Sequence, residues 1–103
     1  MSTESNTGRV AVITGASSGI GEATARALAA DGYRVALVAR RADRIQVLAD
    51  ELGAGAIAIE ADVTGRDSLV AAAQRVKDEL GGADVLINNA GVMLLAPFTS
   101  DQR

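Results

Sequence analysis

The stretch that decides the fold is residues 9–21, which read Arg-Val-Ala-Val-Ile-Thr-Gly-Ala-Ser-Ser-Gly-Ile-Gly. The first six residues are mostly apolar and rich in β-branched side chains, which is typical of a strand buried on both faces of a parallel sheet. A cluster of glycines follows, and from Ile20 the apolar residues recur at helical spacing. The stretch therefore predicts a strand, a glycine-rich turn and a helix.

Strand and helix patterns alternate through the rest of the chain. Further strands are predicted at Arg34–Ala39, residues 56–60 and residues 84–88. Three helical stripes are predicted to face the core: Ile20, Ala23, Thr24, Ala27 and Leu28; then Ile45, Leu48, Ala49 and Leu52; then Leu69, Ala73, Val76 and Leu80. Each helix is predicted to end at a glycine, because glycine readily takes the left-handed conformation found there. These glycines are Gly32, Gly53 and Gly81.

The order β-α-β-α-β-α-β predicts an α/β fold with a parallel sheet and helices on both of its faces, because parallel strands need crossover helices. Residues 1–8 are polar and are predicted to form a flexible N-terminal tail. Residues 9–103 are predicted to form one unit.

The composition excludes several classes of function. The chain has no Cys and no His, so the sequence predicts no disulfide, no metal site and no imidazole base. A net charge of −3 and an aromatic content of 2% argue against nucleic acid as a partner. No apolar run approaches the ~20 residues that a membrane-spanning helix needs, and the polar start is unlike a secretory signal. We therefore expect a cytoplasmic protein without a membrane partner.

The glycine turn at residues 14–21 suits an anion. A helix that begins at such a turn presents free N–H groups and the positive end of its dipole, which stabilise a group such as pyrophosphate. A turn that binds nothing is the alternative. A P-loop would require Lys and then Ser or Thr where Ile20 and Gly21 stand, so it is excluded. The same letters match the G-x-S-x-G nucleophile elbow of hydrolases, but that elbow requires a His.

Three motifs occur in order at the ends of predicted strands. They are the T-G-x-x-x-G-I-G of residues 14–21, Asp62-Val63 after the third strand, and Asn-Asn-Ala-Gly at residues 88–91. With these motifs the chain resembles the short-chain dehydrogenase/reductase family, a Rossmann-fold group of NAD(P)-dependent oxidoreductases. The resemblance covers residues 9–97. It implies that residues 9–103 are the N-terminal half of a dinucleotide-binding Rossmann domain, and that the fold is incomplete.

The resemblance assigns the following residues to the cofactor: Gly15, Ala16, Ser17, Ser18, Gly19, Ile20, Gly21, Asp62, Val63, Asn89, Ala90 and Gly91. Residues 15–18 are expected near the adenosine phosphates, and residues 19–21 beneath the pyrophosphate. Asp62 is expected to accept a hydrogen bond from the adenine amino group beside the Val63 amide, and residues 89–91 are expected to line the ribose. Each of these roles has an alternative: Asp62 could cap a turn, and Asn88 or Asn89 could satisfy backbone groups, rather than bind the cofactor.

The end of the second strand bears on the choice between NAD and NADP. NAD-binding Rossmann units carry Asp or Glu there, but this chain has Ala39 followed by Arg40 and Arg41. A guanidinium binds a 2′-phosphate with charge-assisted hydrogen bonds, whereas a carboxylate would repel it. We therefore expect NADP as cofactor rather than NAD. Asp43 is the one residue that favours NAD. The alternative interpretation is that both arginines are solvated surface charges that bind no phosphate.

The residues that perform the family's reaction are missing from this sequence. In the family a Tyr-x-x-x-Lys pair and a Ser assist hydride transfer between the nicotinamide and a small carbonyl or alcohol substrate. Here the only Tyr is Tyr33, with Leu37 four residues later, and the only Lys is Lys77. No catalytic residue is predicted, and we expect the chain to be inactive alone. A non-catalytic dinucleotide-binding or interaction module is the alternative. We also expect self-association through an exposed sheet edge, or a homo-oligomer in the full-length form.

Overall fold

The computed structural model describes residues 8–16, 18–53, 55–62 and 64–89. The predicted 1–8 tail lies outside this part of the chain except for Gly8. Seven elements alternate in the order that the sequence predicts. They are β1 (Val10–Thr14), α1 (Gly19–Ala30), β2 (Arg34–Ala39), α2 (Ala42–Leu52), β3 (Ile57–Glu60), α3 (Arg66–Leu80) and β4 (Val85–Asn88).

The four strands form one parallel sheet in the order β3-β2-β1-β4. Ile13 on β1 is level with Leu37 on β2 and with Ile87 on β4. The predicted α/β fold of the Rossmann type is confirmed. Among the described residues no helix is both long and apolar enough to cross a membrane.

Alternation along the strands produces two cores, one on each face of the sheet. On one face the sheet packs against α3, through Leu69, Ala72, Val76 and Leu80. On the other face it packs against α2, through Ile45, Leu48 and Ala49, and against Ala25 of α1. Every residue of β1 is buried, because both of its faces are covered. The central strand therefore holds the start of the glycine turn in a fixed place.

The predicted apolar face of α1 is wrong in part, although Leu28 packs against the core as predicted. Ile20 is 74% exposed, and Ala23 and Ala27 are exposed as well, whereas Gly21 and Ala25 are buried. The reason is that this helix packs close to the sheet through its smallest side chains. A pattern of apolar side chains at helical spacing does not reveal a buried glycine, because glycine has no side chain. Ile20 is therefore left facing solvent at the mouth of the turn.

The helices end as the sequence predicts. Gly53 and Gly81 are the C-terminal caps of α2 and α3 and have φ values of 87° and 91°. The last turn of α1 is closed by Asp31, and Gly32 follows with a φ of 101°. Left-handed conformations of this kind favour glycine because it has no Cβ. Each helix is thereby directed into the next strand within a few residues.

Candidate functional site

The carboxyl ends of all four strands meet at one edge of the sheet, because the strands are parallel. Thr14 is the last residue of β1, and Arg40 directly follows β2. Asp62 lies two residues beyond β3, and Asn89 directly follows β4. In open α/β sheets ligands bind in the crevice at this edge. The sheet therefore brings the described members of the predicted site to one side of the molecule.

The glycine turn packs tightly against the start of α1. Gly15 adopts a φ of 66°, which lets the chain reverse directly after the buried strand. A Cβ placed on Gly21 would lie 2.4 Å from the Gly15 carbonyl oxygen and 2.9 Å from the Ala16 Cα. Only glycine fits at position 21 without displacing backbone. The first turn of the helix can therefore lie directly against the loop.

Several amides of the turn are already engaged within the protein. The Ala16 N–H donates to the Val38 carbonyl at 3.3 Å, and the Ser18 N–H donates to the Gly15 carbonyl at 3.1 Å. Ser18 is also the N-cap of α1, and its hydroxyl accepts the Gly21 N–H at 3.0 Å. These bonds make the turn rigid, and they leave Ala16 and Ser18 without a free amide for an anion.

The amides of Gly19 and Ile20 are the donors that the turn leaves open. Neither forms a hydrogen bond with another described residue. A Cβ on Gly19 would meet no heavy atom of the described residues within 4 Å, so this side of Gly19 is clear within the described part of the chain. Two free N–H groups at the positive end of a twelve-residue helix, beside open space, fit a bound phosphate or pyrophosphate.

Thr14 joins the carboxyl ends of β1 and β4. Its side chain is fully buried, and its hydroxyl donates to the Asn88 Oδ1 at 2.9 Å. The Asn89 N–H lies 3.1 Å from the same hydroxyl and 3.3 Å from the Thr14 carbonyl oxygen. The Asn88 side chain is therefore engaged within the protein, and this bond is with a side-chain hydroxyl rather than a backbone group. Asn89 is exposed at the edge where the ribose is expected.

Asp62 is fixed by its neighbours at the start of α3. Its Oδ1 accepts two hydrogen bonds from Thr64, from the hydroxyl at 2.6 Å and from the N–H at 3.0 Å. Its own N–H donates to the Ser68 hydroxyl at 2.9 Å, and its carbonyl accepts the Gly65 N–H at 3.0 Å. The Thr64 hydroxyl lowers the pKa of Asp62, and the Thr64 N–H and the charge of Arg40 act in the same direction. Asp62 thus caps a turn and is ionised at neutral pH.

The two arginines after β2 differ in their surroundings. Arg41 precedes α2, and its Nη2 lies 3.6 Å from the Asp43 Oδ2, with both side chains exposed. Arg40 is exposed and has no ion pair within the described residues, although its charge acts on Asp62. Arg40 is therefore the freer of the two to bind an anionic ligand, while Asp43 partly neutralises Arg41.

Four of the predicted site residues lie outside the described part of the chain: Ser17, Val63, Ala90 and Gly91. Sequence reasoning missed the roles of Thr14, Thr64 and Ser68. The spacing Asp62-x-Thr64 could have revealed one of them, because an aspartate often bonds the backbone two residues later. Nothing in the sequence separates the buried Thr14 from an ordinary strand residue.

The comparisons with known proteins agree with this geometry. A family profile described as short chain dehydrogenase matches residues 9–103. This chain belongs to the short chain dehydrogenase family. Nodulation protein G of Rhizobium sp. (strain N33) is 45% identical over 86 residues, which are 84% of this chain and 35% of that protein.

Two solved structures of this family resemble the chain closely. A metagenomic short-chain oxidoreductase in complex with NADP has a TM-score of 0.78 and 43% identity, and the match covers 85% of this chain and 41% of that one. The 3-ketoacyl-(acyl-carrier-protein) reductase from Brucella melitensis complexed with NADH has a TM-score of 0.75 and 36% identity, covering 78% and 33%. The chain spans 35% and 31% of the first curated relatives, and it matches the N-terminal part of these proteins.

Proposed function

We propose that this chain binds NADP(H) and serves an oxidoreductase that exchanges a hydride between the nicotinamide and a small carbonyl or alcohol. The observation that carries the proposal is the open start of α1, where the Gly19 and Ile20 amides bond no described residue and a Cβ on Gly19 would meet no described atom within 4 Å. The family of the chain supports an oxidoreductase that uses a nicotinamide dinucleotide.

Each described residue has a proposed task toward the dinucleotide. The Gly19 and Ile20 amides hold the pyrophosphate, and Gly15 and Gly21 keep the turn low enough for it to approach. Asp62 accepts a hydrogen bond from the adenine amino group. Asn89 lines the ribose that follows, and Ala16 and Ser18 lie near the adenosine phosphates. When bound, the dinucleotide supplies or accepts the hydride.

The preference for NADP over NAD rests on Arg40. Ala39 is buried at the end of β2 and offers no carboxylate to the ribose, while the exposed Arg40 guanidinium is unpaired within the described residues. One solved relative is bound to NADP and another to NADH, so the family alone does not decide between the cofactors. The charge of Arg40 is what favours a 2′-phosphate. Arg41 contributes less, because Asp43 competes for it.

This chain has no proposed catalytic residue of its own. Tyr33 packs against the core on the α1 and α2 face, and Lys77 lies on α3, which covers the opposite face. The sheet separates the only tyrosine from the only lysine of the sequence. The proposal therefore assigns cofactor binding to these 103 residues and no turnover.

Titration with NADPH and with NADH tests the proposal, with nicotinamide fluorescence as the readout. We expect NADPH to bind more tightly than NADH. Arg40→Ala should weaken NADPH by about 1–3 kcal/mol, the range for hydrogen bonds to charged groups, and leave NADH nearly unchanged. Arg44→Ala is the matched control, because Arg44 is an exposed arginine one turn into α2. Equal binding of both dinucleotides would contradict the role of Arg40, and binding of neither would contradict the proposal.

A further inference from the structure

The carboxylate of Asp62 offers a single free oxygen to a ligand. Both hydrogen bonds from Thr64 converge on Oδ1, at 2.6 Å and 3.0 Å. The backbone N–H and carbonyl of Asp62 are taken by Ser68 and Gly65. No described residue donates to Oδ2. The position and the direction of the one remaining acceptor are therefore set by the loop.

We propose that Thr64 is a positioning residue that makes Asp62 select a purine with a 6-amino group over one with a 6-oxo group. This inference rests on the proposed function and specifies how the same site recognises the base. An ionised carboxylate only accepts hydrogen bonds. Oδ2 can therefore accept from an amino group, whereas a 6-oxo group would bring its lone pairs against a negative charge.

The Thr64 hydroxyl sustains the selection in two ways. Its hydrogen bond fixes the side-chain torsion of Asp62, because Oδ1 is held at 2.6 Å by a residue two positions along the chain. The same bond stabilises the charged form of the carboxylate, and it is the largest cause of the lowered pKa. A protonated Asp62 would become a donor and would lose its preference for the amino group. Arg40, at the end of β2, is the charged group whose field also acts on Asp62.

Thr64→Val tests the inference, because it removes the hydroxyl and nearly preserves the shape of the side chain. The Thr64 N–H remains, so we expect a partial effect. Thr64→Ser restores the hydroxyl and should restore the wild-type behaviour. Thr24→Val is the matched control, since the hydroxyl of Thr24 bonds only the Ile20 carbonyl within α1.

Two readouts are needed. The first is the pKa of Asp62 in the ligand-free chain, followed by NMR of its carboxyl carbon; we expect it to rise in Thr64→Val and to stay low in Thr64→Ser. The second is the ratio of dissociation constants for NADPH and for its analogue with hypoxanthine in place of adenine. We expect the wild type to prefer NADPH by about tenfold, the value of one hydrogen bond, and the valine variant to lose most of that preference.

The outcomes separate this inference from the function on which it rests. If the wild-type chain binds neither dinucleotide, the proposed function fails. If it binds both equally, the proposed function stands and the inference is overturned. The inference is also overturned if Thr64→Val weakens both ligands by the same factor, because that result indicates a purely structural role. An unchanged pKa of Asp62 in that variant would overturn it as well.

Discussion

At the scale of single residues, Gly19 and Gly21 are only two positions apart and carry different constraints. A methyl group on Gly21 would lie 2.4 Å from the Gly15 carbonyl oxygen, whereas one on Gly19 would meet no heavy atom within 4 Å. The first glycine therefore leaves space for a ligand, and the second allows the helix to touch the turn. The T-G-x-x-x-G-I-G pattern contains one glycine of each kind.

This difference leads to a prediction with an internal control. Gly21→Ala should destabilise the fold by about 1–3 kcal/mol, the usual cost of forcing extra atoms into a packed site, because backbone must move. Gly19→Ala should leave the free energy of unfolding nearly unchanged and should weaken NADPH binding, because its methyl group lies beside the free amides. Urea unfolding and NADPH titration of both variants give the two quantities. A destabilised Gly19→Ala with unimpaired binding would contradict the assignment.

The sequence alone could place the site but not all of its internal bonds. Arg40, Asp62 and Asn89 could be placed at the same edge of the sheet because the parallel sheet follows from the order of elements. The bond of Thr64 to the Asp62 Oδ1 is suggested by the spacing Asp62-x-Thr64, but the bond of Thr14 to the Asn88 Oδ1 could not be predicted. The second bond depends on the register between β1 and β4, which residue types do not specify.

At the scale of elements, the sequence predicts strands better than it predicts helix faces. Runs such as residues 35–39 are apolar throughout and become strands buried on both sides. The helix α1 shows the opposite case, because Gly21 and Ala25 are its buried residues and Ile20 is exposed. Close packing of a helix on a sheet depends on the smallest side chains, and these contribute little to an apolar stripe. Tertiary contact therefore decides the face.

The β3 edge of the sheet is protected by a side chain from α3. Residues 55 and 61 bond to β2, so by alternation the main-chain groups of Ala58 point away from the sheet. Arg75 donates to the Ala58 carbonyl at 3.3 Å, and Glu79 holds the same guanidinium at 2.8 Å. An exposed edge strand is a template for pairing with another chain, and a charged side chain across it opposes such pairing.

We predict that Arg75→Ala increases self-association, measured by light scattering and thioflavin binding. Lys77→Ala is the control, since it removes a cation from the same helix without touching β3. Equal scattering by the two variants would contradict the protective role of Arg75.

The ion pair between Arg75 and Glu79 has a second consequence, which concerns pH. Arg75 lowers the pKa of Glu79, so the ion pair stabilises the folded chain above about pH 4.5 and its contribution is lost as the pH falls through the folded pKa. Arg75→Ala should therefore lose less stability in acid than the wild type.

At the scale of the whole molecule, the two edges of the described sheet are unequal. The β3 edge carries Arg75, and the exposed Glu60 ends that strand. At the other edge, β4 pairs with β1 alone within the described residues, and its Val85, Leu86 and Ile87 are only half-buried. The first curated relatives are about two and a half to three times as long as this chain. Within the described residues the β4 edge is therefore the less covered of the two.

This inequality predicts that the stability of the 103-residue chain depends on its concentration. Strand pairing between copies at β4 would further bury Leu86 and Ile87, which are half-buried in the described sheet, so association should stabilise the folded state by mass action. We expect the melting temperature to rise, and the mass in solution to exceed that of a monomer, as the concentration increases from low to high micromolar. The same concentration series on Arg75→Ala distinguishes association through β4 from association through β3. Association through β4 should occur whether or not Arg75 is present. A cooperative transition at one temperature, with a monomeric mass throughout, would show that the β4 edge is satisfied within a single chain.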